Sequence, residues 1–208
     1  MNKEYYLLDG DERTGPFSYR ELVQQGMDVN TQLSTPFDEK WQYASEIPDF
    51  FDYFKSIGIH FPTGDNLAGF WIRAGAMIID LFILIVPLEF IFIKAGMLVV
   101  PDSIEHLTMP SQTDALIMQA SFLLTFLLYN SLAEISTWKG SIGKKVCNLM
   151  VVDINGTSAG FLRVFGRNLG AFLSLNFLYG IPFLSMLFNE YRQNWYDSLA
   201  KTYVVKTN

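Results

Sequence analysis

AGAMIIDLFILIVPLEFIFI, residues 74–93, is a run of twenty in which only Asp80 and Glu89 carry charge. At about 1.5 Å per residue, a helix of this length spans about 30 Å, the hydrocarbon thickness of a bilayer. A carboxylate inside such a helix costs at least about 2.5 kcal/mol unless it is partnered, so Asp80 is a candidate functional residue. Arg73 precedes Asp80 by seven residues, two helical turns, which places both on one face.

Outward from this run, the composition divides the chain. Half of the 208 residues are hydrophobic and only 17% are charged, against about 25% in soluble domains. Residues 1–66 hold five Lys/Arg and twelve Asp/Glu, whereas residues 67–208 hold ten and nine. This predicts a small acidic module (residues 1–55), a linker (56–66) and a membrane bundle of three to four helical segments (67–206), the first about 67–93. A second apolar stretch, about 115–137, carries Gln119, Asn130 and Glu134 along one side. A third, 161–188, is interrupted near Gly180-Pro182. In it Gly166, Gly170 and Ser174 recur every four residues, a small-residue face suited to close helix contact. Strand-like stretches near 146–153 and 202–206 are expected to pair.

Lys and Arg gather in the loop 138–165 and in the C-terminal tail, while the loop 94–114 has one Lys. This bias predicts a multi-pass inner-membrane protein with its N-terminal module in the cytoplasm. In that module, residues 3–10 read as a strand. Ser18 and Glu21 form a capping box for a helix over 19–25 that ends at Gly26, and strands follow near 31–34 and 41–44. Residues 49–57 read as an amphipathic helix whose aromatic face could lie at headgroup level.

Several classes are excluded or disfavoured. Cys147 is the one cysteine, so no intrachain disulfide or cysteine-based metal site exists; a small buried hydrophobe is its expected role. His60 and His106 read as solvated loop residues. The N-terminus is too acidic for a secretory signal. Overall acidity without a basic run argues against nucleic acid. No nucleophile elbow, phosphate loop or metalloprotease motif is present, so neither an enzyme nor a cofactor or metal is expected.

Phe70-Trp-Ile-Arg-Ala-Gly-Ala-Met-Ile-Ile-Asp80, Gly140-Ser-Ile-Gly-Lys-Lys-Val-Cys-Asn-Leu-Met-Val-Val-Asp153 and Arg192-Gln-Asn-Trp-Tyr-Asp-Ser-Leu-Ala-Lys-Thr-Tyr-Val-Val205 resemble, in order, three blocks of the RDD family of bacterial membrane proteins. The resemblance implies that Arg73, Asp80 and Asp197 are the family's defining residues. Asn148 and Lys201 stand where the family often has Gly. Some members are linked to sodium–proton exchange, which would make Asp80, with Glu134 second, the ion- or proton-binding group. Arg73 would tune a carboxylate, and Asp197 would pair with Arg73 or Lys144. A clamp joining the first helix to the C-terminal strand is the competing role for Arg73, Asp80 and Asp197. Tyr5-Tyr6, Gly15-Pro16-Phe17, Leu22, Trp41 and Pro48 resemble a GYF-like α+β module, although the Gly-Tyr-Phe triplet itself is missing. That likeness implies a proline-rich peptide or protein partner held by Tyr5, Tyr6, Phe17 and Trp41; the alternative is that these rings are core. Two readings therefore stand: a transporter of a small cation in exchange for protons, working as a homo-oligomer in the lipid bilayer, or a membrane-anchored adaptor.

Overall fold

The computed structural model describes residues 3–10, 12–36, 38–99, 109–177 and 180–207. His106 lies outside them. The chain divides into two compact units, one reaching Phe61 and including Asn155–Thr157, the other formed by Pro62–Ile154 and the remainder.

The N-terminal unit is a four-stranded antiparallel sheet, order β2-β1-β3-β4, from β1 (Glu4–Asp9), β2 (Glu12–Ser18), β3 (Gln32–Thr35) and β4 (Asp38–Tyr43). Strand β2 was not expected, because Gly15-Pro16 reads as a breaker; it is tolerated here at the sheet edge. Helix α1 (Tyr19–Gln25) starts at the Ser18–Glu21 capping box and stops at Gly26, whose φ of 77° is left-handed. Helix α2 (Phe51–Ser56) follows two short 3₁₀ turns. Its aromatic face is not available to headgroups: Phe54, with Phe50 just before it, is fully buried beside Tyr5, Leu22 and Leu33. A unit of about sixty residues has few other side chains with which to build a core. His60 is half-buried rather than solvated.

In the second unit, α3 (Phe70–Lys94) and α4 (Gln112–Ile135) are each long and apolar enough to cross a membrane. Their outer faces expose Phe82, Val86, Phe90, Leu116 and Leu124, as lipid-facing helices do. Helix α5 (Ile142–Val146) and strand β5 (Leu149–Val152) come next. The third apolar run splits into α6 (Phe161–Phe177) and a 3₁₀ helix (Ile181–Phe188) on either side of Gly180, whose φ is 75°. The two are sharply bent against each other, the geometry of either a broken span or a re-entrant loop. Helix α7 (Trp195–Leu199) and strand β6 (Tyr203–Lys206) close the unit. Strands β5 and β6 pair antiparallel from Leu149↔Lys206 to Val152↔Tyr203, as the sequence predicts. The core has an apolar end around Leu84, Phe126, Leu127 and Phe172, and a small-residue end at Ala68, Ala76, Leu149, Val151 and Val204, against which half-buried Cys147 packs.

Candidate functional site

Six ionisable side chains from five elements meet inside the second unit. Glu134, at the end of α4, accepts both Oε bonds from Arg167 Nη1 of α6, at 2.8 and 2.9 Å, and one from Lys144 Nζ of α5 at 2.8 Å. Asp197 of α7 accepts from Arg167 Nε at 2.7 Å and from Arg73 Nη1 at 2.8 Å. Both carboxylates are completely buried. Arg167 therefore bridges two carboxylates with one guanidinium, a geometry that a lysine has no fork to reproduce. Asn168 Nδ2 adds a bond to Glu134 at 3.2 Å, and the Asn194 backbone N–H adds one to Asp197 at 3.2 Å.

Asp80 is held differently. Its Oδ1 accepts from the Tyr129 hydroxyl at 2.7 Å and from the Gly143 N–H at 2.8 Å; its Oδ2 accepts from the Ser141 hydroxyl. All three donors are neutral. Arg73 pairs with Asp197 and not with Asp80. Although it shares a helix face with Asp80, Arg73 turns to Asp197 and to the carbonyls of Ala68 and Arg192, at 3.1 and 2.7 Å. Three peptide or carboxylate acceptors outside its own turn satisfy the guanidinium fork more fully than one carboxylate two turns away.

The block Gly140–Lys145 thus has a local role. Ser141 caps α5, and the cap places a hydroxyl, a backbone N–H and Lys144 against α3 and α4. Gly143 is required for this approach: a Cβ there would lie 2.2 Å from the Ala76 carbonyl oxygen. Lys144, expected as an alternative partner of Asp197, pairs with Glu134 instead, and Arg167, Tyr129 and Ser141 were missed as site residues. Arg167 had a readable signal, a charge within an apolar run; Ser141 acts through α5, a helix of five residues, and Tyr129 through a tertiary contact between α4 and Asp80 of α3.

The remaining expected residues are dispersed. Gln119 is exposed, apart from buried Asn130 and Glu134. Gly170 packs on Tyr196, where a Cβ would meet Tyr196 Cβ at 2.7 Å, and Ser174 accepts from Trp195 Nε1 at 3.0 Å. These two serve contact with α7, whereas Gly166 faces open space. In the N-terminal unit Tyr5 belongs to the core, 1% exposed, with its hydroxyl on Asp49 at 2.6 Å. Tyr6 lies under Arg13, with 3.8 Å from guanidinium to ring centre, and Phe17 and Trp41 are half-buried. The four rings do not form one platform.

A cavity of about 70 Å³ borders the charged cluster; Arg73, Asp80, Lys144, Arg167, Asn130 and Asn194 line its polar side. Among the described residues no group of three or more His, Cys, Asp or Glu could hold a metal ion.

A family model described as the RDD family matches residues 67–201, which include the whole cluster. The chain is 30% identical over 142 residues to the uncharacterized protein YckC of Bacillus subtilis (strain 168), spanning 66% of this chain and 83% of YckC. It is 31% identical over 147 residues to the uncharacterized protein YxaI of the same organism, spanning 66% and 96%. No solved structure matches it.

Proposed function

The chain belongs to the RDD family, and from that premise we propose that it moves a small cation across the cell membrane in exchange for protons, with Asp80 alternately holding one or the other. One observation carries the proposal. Glu134 and Asp197 each hold two cationic groups, whereas Asp80 is bound by neutral donors alone. Asp80 is therefore the carboxylate of the three that can change charge without breaking an ion pair. It is 4% exposed and borders the cavity, so an arriving proton or cation meets it out of bulk water. In this reading Glu134 and Asp197 are fixed counter-charges, Arg73 and Arg167 position them, and the protein is multi-pass with its N-terminal unit in the cytoplasm. Few helices are available to enclose a path, which favours a homo-oligomer.

Flux into proteoliposomes tests the proposal. Wild-type protein is expected to exchange sodium or another alkali cation for protons, and a folded Asp80→Asn variant to lose the exchange. No exchange by the wild type, or an undiminished rate in the variant, refutes it.

A second reading, an adaptor, is favoured by the independent core of the N-terminal unit around Tyr5, Leu22 and Phe50. We read that unit as GYF-like, with Trp41 and Tyr6 contacting a proline-rich segment. Titrating the full chain in detergent with a proline-rich peptide should give saturable binding that Trp41→Ala abolishes; no binding removes this reading.

A further inference from the structure

The cavity has an uneven lining. Three cationic side chains, Arg73, Lys144 and Arg167, border it together with one carboxylate, Asp80, while Glu134 and Asp197 are not part of its wall. Donors remain available there. Arg167 binds its carboxylates through Nε and Nη1, and Nη2 takes no part in those bonds. Lys144 uses two of its three N–H groups, on Glu134 and Ser141. Asn194, 2% exposed, donates from Nδ2 to the Tyr196 hydroxyl at 2.8 Å, and its Oδ1 is buried without a partner. Turned over, the amide would accept from Tyr196 and offer Nδ2 instead. Asn194 thus has one unpaired polar end beside the cavity it lines, an acceptor as placed and a donor to an anion only when the amide is turned. One water needs about 10–15 Å³ in this measure, so about 70 Å³ holds a small ion together with water.

Charge decides which ion. The groups around Asp80 are Tyr129 and Glu134 on α4, Lys144 on α5, Arg73 on α3, Arg167 on α6, and Tyr196 and Asp197 on α7. With Asp80 ionised, three cations and three carboxylates cancel. With Asp80 neutralised, one positive charge is in excess in surroundings that screen it poorly.

We propose that this cavity binds a small monovalent anion, chloride or a carboxylate the size of formate, when Asp80 carries a proton. The inference goes beyond cation exchange and does not need it, because it requires only that Asp80 change charge. A unit charge about 6 Å away at an effective dielectric of about 20 corresponds to roughly a hundredfold in affinity.

The test is thermal unfolding of the detergent-solubilised full chain, comparing chloride with gluconate at equal ionic strength over a pH series. Chloride is expected to stabilise the wild type in acid and to lose that effect as pH rises. Asp80→Asn, permanently neutral, should bind chloride about ten- to a hundredfold more tightly than wild type at high pH, with no pH dependence. Should that variant not fold, Ala171→Leu, which fills the cavity wall, is expected to abolish the chloride effect of the wild type in acid. No chloride-specific shift at any pH, or an equal shift at all pH values in wild type, overturns the inference. Cation flux with no chloride effect would defeat this inference alone, and a chloride effect with no flux would defeat the exchange reading alone.

Discussion

Replacing Gly143 with Ala should separate α5 from α3 and release Asp80. The added Cβ would stand 2.2 Å from the Ala76 carbonyl oxygen and 2.8 Å from Asp80 Cγ. Ordinary contact begins near 3.5 Å, so α5 has to retreat by about 1 Å. The 2.8 Å bond from Gly143 N–H to Asp80 then lengthens to nearly 4 Å, beyond hydrogen-bond range. Overpacking of this kind costs about 1–3 kcal/mol, and a hydrogen bond to a charged group contributes about 1.5–3 kcal/mol. The helix preference of Ala returns at most about 1 kcal/mol, leaving a net loss of about 2–5 kcal/mol. For a chain of this size that is a fall in Tm of about 5–15 °C. Gly166→Ala is the control, since a Cβ there meets nothing within 4 Å; it should melt at or slightly above the wild-type temperature. Thermal unfolding of both variants in one detergent decides the matter. A fall of less than about 2 °C for Gly143→Ala would refute the claim that close backbone approach holds Asp80 in place.

Removing Arg167 leaves two buried carboxylates short of a partner, so Arg167→Met should cost about 3–5 kcal/mol in denaturant titration, and Glu134→Gln added to it should recover part of the loss. Lys201 and Asn148 hold φ of 50° and 53°, left-handed values at two positions where the family often has Gly; Lys201→Gly should raise stability by about 1 kcal/mol and Asn148→Gly by less, because Asn tolerates that conformation better. Burial, and then the Asp49 carboxylate, push the Tyr5 phenol above its usual range. A raised pKa stabilises the fold below the ordinary phenol value of about 10 and loses that contribution above it, so the N-terminal unit should loosen in alkali, and Tyr5→Phe should flatten that limb of a fluorescence-monitored pH titration. Asp49 has the opposite sign: its hydrogen bonds from Lys3 and Tyr5 hold it below the usual carboxylate range, so its contribution is present at neutral pH and fades on acidification below about pH 4, which Asp49→Asn should abolish.

Local elements were legible wherever one short-range effect dominates. The Ser18–Glu21 box and Gly26 marked both ends of α1, apolar length marked α3 and α4, and strand-like composition marked β5 and β6. Elements without such a signal were lost. Strand β2 runs through Gly15-Pro16 and is held by pairing with β1; α5 is one turn of helix held by Asp80 and Glu134. The aromatics of residues 49–57 read as a face for the membrane surface, and burial of Phe50 and Phe54 shows that they build a core instead.

By itself the sequence determined that this chain builds helices long and apolar enough to cross a membrane and sets acids and arginines among them, because apolar length and charge placement are properties of the chain alone. Only the tertiary structure decided which charge meets which. Arg73 and Asp80 share a helix face yet do not pair, since their partners are brought from 49 to 124 residues away along the chain. Packing brings Glu134 and Asp197 to the one guanidinium fork of Arg167, and leaves Asp80 to Tyr129, Ser141 and Gly143.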